Sequence, residues 1–481
     1  MNQQAVTKLP ILDDSRLHFS LSAKWLLDGD HRFDATAYAQ GAIHAMDLIE
    51  KTHCIKTPLG KCVTRIYHPT ENQPRSNFRR IWVDAANGTA FLSGRQLFHF
   101  RPDVEKFISN RLPKLHELRV PKGTILLTRS GTLGIPVLVA DRLSRFAVTD
   151  DALRIFEGSV PYGYVYAFLA SRYGYSIMAR SAYGSTVEHL EAKHLRNLPV
   201  PMTDGDTQRE IHELIVEAYR LRDHANDLLD EADRQLHEAL GIAPFDENDV
   251  EYLGTTGDPK AFAINAAELG VRLDAAHHVP LSRSAIHKLQ LGRYPLVMLG
   301  SLAGNIYLAP RFARVYVASE HGTPLLQGSH IPMSRIHGMK YISNTQTDRM
   351  NRWIIKSDTV LVTCSGTIGR IAIASNLMDG WAASQHILRV SPCVNRSHEG
   401  YLATFLATPY GQHQLKSKIY GGVVDELTAE DTAKVMIPDL PYDLQKEIGQ
   451  PAREAYELRD KANALEDQAI AHMEVIIEGK A

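Results

Sequence analysis

The chain states the same thing twice, at an offset of roughly 237 residues. The segment KGTILLTRSGTLG, ending at Gly134, matches SDTVLVTCSGTIG, ending at Gly369. GYVYAFLAS from Gly163 matches GYLATFLAT from Gly400, and Arg32-Phe33-Asp34-Ala35 matches Arg272-Leu273-Asp274-Ala275. Tyr183-Gly184 matches Tyr420-Gly421, Pro201 matches Pro438, and QREI from Gln208 matches QKEI from Gln445. YRLRDHANDL from Tyr219 matches YELRDKANAL from Tyr456. Small drifts in the offset place the differences in loops. Two copies of one large unit do not build a single active site. They build two similar binding heads.

Composition narrows the class. The chain has 481 residues, 44% hydrophobic and 22% charged, which suits a soluble protein whose halves each bury a core. No apolar run approaches the ~20 residues that span a bilayer, and the first residues lack the charged-then-apolar order of a signal peptide. A cytoplasmic protein with no membrane partner is expected. Cys54, Cys62, Cys364 and Cys393 show no metal-ligand spacing, and Cys364 aligns with Arg129, against a shared metal or redox role. The net charge of −2 is unlike a lone nucleic-acid binder, although Arg75, Arg79 and Arg80 gather in one loop.

The order of elements within each copy predicts an α+β fold. Short runs of Val, Ile, Leu and Thr broken by Gly and Asn (RRIWVDAANGTAFLSG, TVLVTCSGTIGRIAIAS) read as strands joined by tight turns. A helical stretch follows, then a turn near Tyr-Gly, then a short apolar segment ending in proline. After that, Ile211, Leu214, Ile215, Ala218, Leu221, Ala225, Leu228, Ala232 and Leu236 fall three or four apart. Ile448, Ala452, Ala455, Leu458, Ala462, Leu465, Ala469 and Met473 do the same. Each set makes one narrow apolar stripe on a helix of about 34 residues, roughly 50 Å long at ~1.5 Å per residue. A stripe of that width asks for a partner helix of equal length. The two helices are therefore expected to pair as an antiparallel coiled-coil spacer, the alternative being that each packs on its own body. The predicted boundaries are a first domain at 1–203, a helix at 204–242, a linker at 243–270, a second domain at 271–439 and a helix at 440–481.

Catalytic signatures are missing. There is no GxxxxGK[ST] loop, HExxH, GxSxG or strand-borne GxGxxG, and no Asn-Pro-Pro-aromatic tetrapeptide. Glu191-Ala192-Lys193 resembles half of a nuclease metal motif, but its counterpart Ala429-Glu430 has no lysine in register. No catalytic or metal-binding residue is assigned. Asp150 and Asp151 align with Gln385 and His386, a change of type that suits a reading surface better than a reaction centre.

The SGTLG and SGTIG turns need their glycines for a tight strand-to-strand reversal, and they place Ser130, Thr132, Ser365 and Thr367 where a backbone could approach a phosphate. Arg129 and Arg370 flank them. Arg75, Asn77, Arg79 and Arg80, matched by Arg311 and Arg314, are residue types that contact guanine and adenine edges; a basic loop is also an ordinary solvated surface. Ser185, Thr186 and His189 follow Tyr183-Gly184, where the second copy has Gly422, Val423 and Asp425.

Taken in order, these marks resemble the specificity subunit of type I restriction–modification systems. The resemblance covers nearly the whole length: recognition domain, helical spacer, recognition domain, helical spacer. It rests on the RFDA and RLDA segments, Leu59-Gly60 and Leu299-Gly300, the SGT[LI]G turns, the Tyr-Gly and Pro segments and the QREI and QKEI helix starts. One departure is that Glu188 and Asp425 are acidic where many such domains carry an amide. The resemblance implies two target-recognition domains that each read half of a split double-stranded DNA site. It implies two methyltransferase (modification) subunits as partners, with S-adenosylmethionine bound there and no cofactor in this chain, and restriction/translocase subunits as further partners. The competing reading from another class is a protein-interaction scaffold with two heads on a strut.

Overall fold

The computed structural model describes residues 40–71, 74–130, 133–181, 189–246, 250, 261–270, 272–347, 351–421 and 425–480. The RFDA segment, Tyr183-Gly184, Thr132, Ser185, Thr186, Glu188, Gly422 and Val423 lie outside these residues.

The duplication is strand for strand. The first copy holds β1 (Ile55–Pro58), β2 (Arg65–Tyr67), β3 (Trp82–Val83), β4 (Gly88–Leu92), β5 (Lys106–Ser109), β6 (Ile125–Thr128), β7 (Pro136–Leu138), β8 (Ala147–Val148), β9 (Ala152–Phe156) and β10 (Pro199–Met202). The second holds β11 (Leu296–Met298), β12 (Ala303–Tyr307), β13 (Tyr316–Val317), β14 (Gly322–Leu326), β15 (Lys340–Ser343), β16 (Val360–Thr363), β17 (Ile371–Ile373), β18 (Ala382–Ala383), β19 (Ile387–Pro392) and β20 (Met436–Pro438). In the first, one sheet runs β2-β9-β6-β7, a second runs β3-β5-β4-β8, and β1 pairs with β10. In the second, β12-β19-β16-β17, β13-β15-β14-β18 and β11-β20 repeat those orders. Registers repeat as well, with Ile125 opposite Ile155 and Val360 opposite Val390.

Inner strands β6 and β16 are buried at all four residues, which is why Ile-Leu-Leu-Thr and Val-Leu-Val-Thr are nearly continuous apolar runs. The turn entering each of them needs a left-handed residue. Gly123 supplies it at φ +85°, and Asp358 at φ +62°. Asp tolerates that region better than most side chains do.

Helices close each copy. In chain order they include α1 (Gln40–Lys51), α2 (Tyr162–Ala170), α3 (Arg172–Ser181), α4 (Gly205–Leu240), α5 (Pro280–Gln290), α6 (Glu399–Ala407), α7 (Pro409–Ser417) and α8 (Tyr442–Ile477). The α2 and α6 helices are apolar nearly all round and buried throughout their middles. Tyr164 and Tyr401 use their one polar atom in equivalent ways, donating to the carbonyls of Pro201 and Pro438 at 2.6 and 2.5 Å. Gly400 meets Gly449 of α8 so closely that an added Cβ would lie 2.0 Å from the Gly449 carbonyl. Only glycine permits that helix contact.

The long helices α4 and α8 are each 36 residues. The first starts where Asp204 caps it, its carboxylate accepting from the Thr207 and Asp206 amides at 2.9 and 3.0 Å. Helix α8 passes through Pro451, which has no N–H to give to the preceding turn. The buried stripes run as spaced in the sequence from Ile211 to Leu236 and from Ile448 to Met473, except that Leu214 is half-buried beside the buried Ile215 and that three further leucines give way to their neighbours. Leu228, Leu458 and Leu465 are half-buried, while their neighbours Leu229, Arg459 and Glu466 are buried.

The contacts divide the chain into two compact units. One comprises 1–223, 334–338 and 461–481; the other comprises 224–333 and 339–460. Within the first unit, Ala469, Met473, Ile476 and Ile477 of α8 share a core with Leu59, Phe168, Met178, Ile211 and Ile215. The Thr52 hydroxyl donates to the Ile476 carbonyl at 3.2 Å, and the Arg172 amide to the Glu474 carboxylate at 2.8 Å. The same unit buries a charged network. Arg222 lies 2.5 Å and Arg335 3.6 Å from Glu466, Arg335 lies 2.5 Å from Asp467, and the Tyr166 hydroxyl donates to Glu466 at 2.8 Å. Within the second unit, Phe245 packs on the rings of Tyr410 and His413 at 5.6 and 5.2 Å, and Tyr410 donates to the Ala243 carbonyl.

Candidate nucleic-acid interface

In each copy a fully buried arginine sits under the turn that leads into its own strand, β9 or β19. Arg154 on β9 is 1% exposed and Arg389 on β19 is 0% exposed. Neither is paired with a carboxylate. Arg154 donates to the carbonyls of Ala152 at 2.7 Å and Thr149 at 3.2 Å. Arg389 donates to the carbonyls of Ala383 (2.6 Å), Ile387 (2.7 Å), Trp353 (3.1 Å) and Ser384 (3.3 Å). Burial lowers both guanidinium pKa values to about 10. Each cation is hydrogen-bonded by backbone carbonyls, with Asp150 and Glu117 adding longer-range attraction at Arg154, and in return it fixes the turn above it. No motif in the sequence marks these two arginines; the recurrence of an Arg in the equivalent apolar runs ALRIF and ILRVSP is the signal that could have found them.

The turn in the first copy carries Asp150 and Asp151. Arg80, from the loop before β3, donates to Asp150 at 2.9 Å and lies over the Phe91 ring, 5.3 Å from its centroid. Both side chains of this pair are partly open to solvent, at 43% and 24%. Asp151 is taken up otherwise: Arg129 donates to it at 3.1 Å, and the Ser130 hydroxyl donates to it too. Arg129 also lies 3.7 Å from Glu191. Glu191 accepts from the backbone of the short helix it opens and is thereby a cap, which gives the residue of the nuclease-like tripeptide a structural part. His189 meets Ser130 through an isolated antiparallel bridge. The sheet topology therefore assembles Arg80, Arg129, Ser130 and His189 around the two aspartates.

The second copy builds the same framework with other chemistry. Arg314 donates to the Gln385 carbonyl oxygen at 2.6 Å, taking the place of the Arg80–Asp150 pair, and lies over the Phe312 ring at 5.5 Å. The other end of the amide, Gln385 Nε2, is 3.0 Å from His386 Nε2. Because a guanidinium only donates, the Gln385 atom facing it must be the oxygen, which fixes the amide orientation. Burial, then Arg314 and Arg311, push the His386 imidazole below its ordinary pKa. Its Nε2 is then an acceptor for the amide. Ser365 bridges Glu426, and Arg311, 81% exposed, lies 3.6 Å from the Glu426 carboxylate.

The remaining expected residues fall nearby. Asn77, half-buried, and Arg79, exposed, lie at a single 3-10 turn that Arg75 opens. Thr367 is exposed at the tip of the second SGTIG turn, and the Arg370 amide donates to the Thr363 hydroxyl at 2.9 Å. Gly134 and Gly369 take φ +72° and +86°, so the glycines there answer to backbone geometry. Next to the arginines, β3 and β13 expose Trp82 and Tyr316, each with a lysine over its ring at 5.2 Å, Lys106 and Lys340 respectively. Among the described residues no group of acidic, His or Cys side chains could hold a metal, and no helix is long and apolar enough to cross a membrane.

The fold and the site define a class: two equivalent sheet-based heads in which Arg80 and Arg314 are clamped to polar side chains of different type, joined to long helices. Residues 323–450 match the family model described as the type I restriction modification DNA specificity domain. The match covers the second copy from β14 into α8, and the first copy repeats the strand order found there. No curated protein matches the chain. Among solved structures it is similar to the S subunit of the type I restriction–modification system from M. genitalium: 13% identity, 89% of this chain and 96% of that one, TM-score 0.37. The HsdS subunit from Thermoanaerobacter tengcongensis matches at 13% identity, 89% and 97% coverage and TM-score 0.28. A chain from a study of complex assembly and conformational transition of the type I R-M system matches at 12% identity, 89% and 98% coverage and TM-score 0.28.

Proposed function

We propose that this chain is the non-catalytic, cytoplasmic DNA-recognition subunit of a type I restriction–modification complex. It reads a bipartite, asymmetric double-stranded site, one half with each head. The observation that carries this reading is the DNA specificity domain at residues 323–450, on a framework that the first copy repeats strand for strand. Helices α4 and α8 pair antiparallel and act as the spacer between heads. Supporting this within the first unit, Arg222 lies beside Glu466 while Glu210, three turns earlier, lies 3.7 Å from His472, further along α8. Two modification subunits dock on the paired halves and bring S-adenosylmethionine and its chemistry, and restriction/translocase subunits join the same assembly. The exchange of Asp150 for Gln385 under equivalent arginines suits two heads that read different bases.

The test is to co-express the chain with its modification subunit and map methylated positions on genomic DNA. Two short specific blocks separated by unread base pairs support the reading. Methylation without sequence preference, or no salt-dependent DNA binding by the complex, overturns it.

A further inference from the structure

We propose that residues 150 and 385 are base-reading side chains of opposite hydrogen-bonding sense. Asp150 reads an exocyclic amino group in one half-site, Gln385 reads an acceptor in the other, and Arg80 and Arg314 position them. This rests on the functional reading above and adds which atoms do the discriminating.

The argument begins with what each arginine consumes. Arg80 takes one oxygen of Asp150, Oδ1. The second oxygen stays at a partly open surface and can only accept. In the major groove the groups an acceptor can read are the amino hydrogens of cytosine N4 and adenine N6. Arg314 takes the single oxygen of Gln385, and His386 takes one of the two hydrogens on Nε2. What remains of the Gln385 amide nitrogen is one N–H, which can only donate. Its counterparts are guanine O6 and N7, adenine N7 and thymine O4. The same framework thus presents an acceptor in one head and a donor in the other.

Two further features suit reading over mere packing. The turns carrying both residues are fixed from below by Arg154 and Arg389, so the reading atoms are preorganised before DNA arrives. Beside them, Trp82 with Lys106 and Tyr316 with Lys340 are exposed, flat and cationic, a pairing suited to a sugar–phosphate edge. Asp151 is a poor reader by comparison, because Arg129 and Ser130 occupy both of its oxygens.

The exchange is testable with isosteric variants. In Asp150→Asn, Arg80 still binds the oxygen and the exposed atom becomes a donor. In Gln385→Glu, Arg314 still binds one oxygen and the exposed atom becomes an acceptor. The full chain, assembled with its modification subunit, is presented with a duplex library randomised across the two blocks, and enrichment is read base pair by base pair. Thermal midpoints establish that each variant is folded. Asp150→Asn should shift preference at one base pair of one half-site, from an amino-bearing to an acceptor-bearing edge, by roughly 5- to 150-fold. Gln385→Glu should make the reverse shift in the other half-site only. Arg80→Lys should broaden the preference at the base pair that Asp150 reads. Uniform weakening across the library, an unchanged profile in both variants, or a shift in both half-sites at once would overturn the assignment. A wild-type complex with no bipartite preference would instead overturn the functional reading beneath it. Because the two variants lie in different copies, misfolding of one leaves the other as the test.

Discussion

Arg154 donates to the carbonyl of Ala152, two residues before it on the same chain, from a position with 1% of its surface exposed. Arg389 does the same to Ile387. A cation held in a sheet interior by carbonyls is expensive to keep, and in both copies it lies under the turn that carries the exchangeable polar residues. The economical explanation is that the arginine fixes the shape of that turn.

Arg154→Met should therefore cost about 1–3 kcal/mol, as the Ala152 and Thr149 carbonyls lose their partner and the buried charge disappears. Arg389→Met should cost more, since it supports four carbonyls against two. Urea titrations of both variants measure this. Equal, negligible losses would mean that the carbonyls find water and the arginines are not supports.

Glu466 is the anion of the network in the first unit, and its removal should be the most damaging single change on α8. Burial pushes its carboxyl up, but Arg335 and Arg222 outweigh that and lower it from 4.5 to about 2. Glu466→Ala leaves two buried guanidiniums with too little negative charge, at a cost of about 3–5 kcal/mol. The pH dependence follows in sign. A carboxyl depressed in the folded state contributes stability above its unfolded value, and that contribution is lost as pH falls from 4.5 toward 2. Unfolding free energies followed over that range should fall less steeply in Glu466→Ala than in the wild type.

Gly369 and Gly366 separate space from backbone conformation within one turn. Both have positive φ, +86° and +74°. A Cβ at Gly369 would also meet the Gln412 side-chain oxygen at 2.7 Å, whereas nothing lies within 4 Å at Gly366. Gly366→Ala should lose only the left-handed preference, about 1–2 kcal/mol. Gly369→Ala should lose that and more, because Gln412 must give up its bonds to the Gly369 and Leu406 carbonyls. Thermal midpoints in the order wild type, Gly366→Ala, Gly369→Ala are expected.

The sequence made these turns and strands legible because their cause is local. SGTIG needs its glycines for φ, and Val-Leu-Val-Thr has no polar residue to show to water. The repeat did the rest, since equivalent residues recur at equivalent places, down to Tyr164 and Tyr401 on Pro201 and Pro438. What stayed hidden depends on partners far along the chain. Leu465 falls on the apolar stripe by spacing, yet Glu466 is the buried residue, because Arg222 and Arg335, remote in sequence, make a buried glutamate tolerable. Arg154 and Arg389 were hidden for a different reason: their partners are mostly carbonyls within six residues, and backbone acceptors leave no mark in a sequence. The candidate site was legible as residue types and not as pairs: Arg80 and Asp150 stand 70 residues apart.

The geometry of the DNA target is the widest-reaching expectation. Two equivalent heads that address the same face of a duplex favour centres about one helical turn, roughly 34–36 Å, apart. A helix of 36 residues extends about 54 Å at 1.5 Å per residue, enough to hold heads at that separation with overlap at each end. The target should thus be two short blocks flanking several unread base pairs, and the blocks should differ in sequence, since Asp150 and Asp151 stand where the other head has Gln385 and His386. Specificity should also be modular. Replacing Asn77 or Arg79 should change preference in one block only, at about 1–3 kcal/mol per lost bidentate base contact, or weaken all sequences alike if the side chain touches phosphate. Lengthening α4 and α8 together by one turn should widen the gap between blocks and leave both block sequences unchanged. Methylome mapping of cells carrying each variant reads all of these outcomes. A continuous target, or a palindrome with identical halves, would show that the two heads do not read DNA independently.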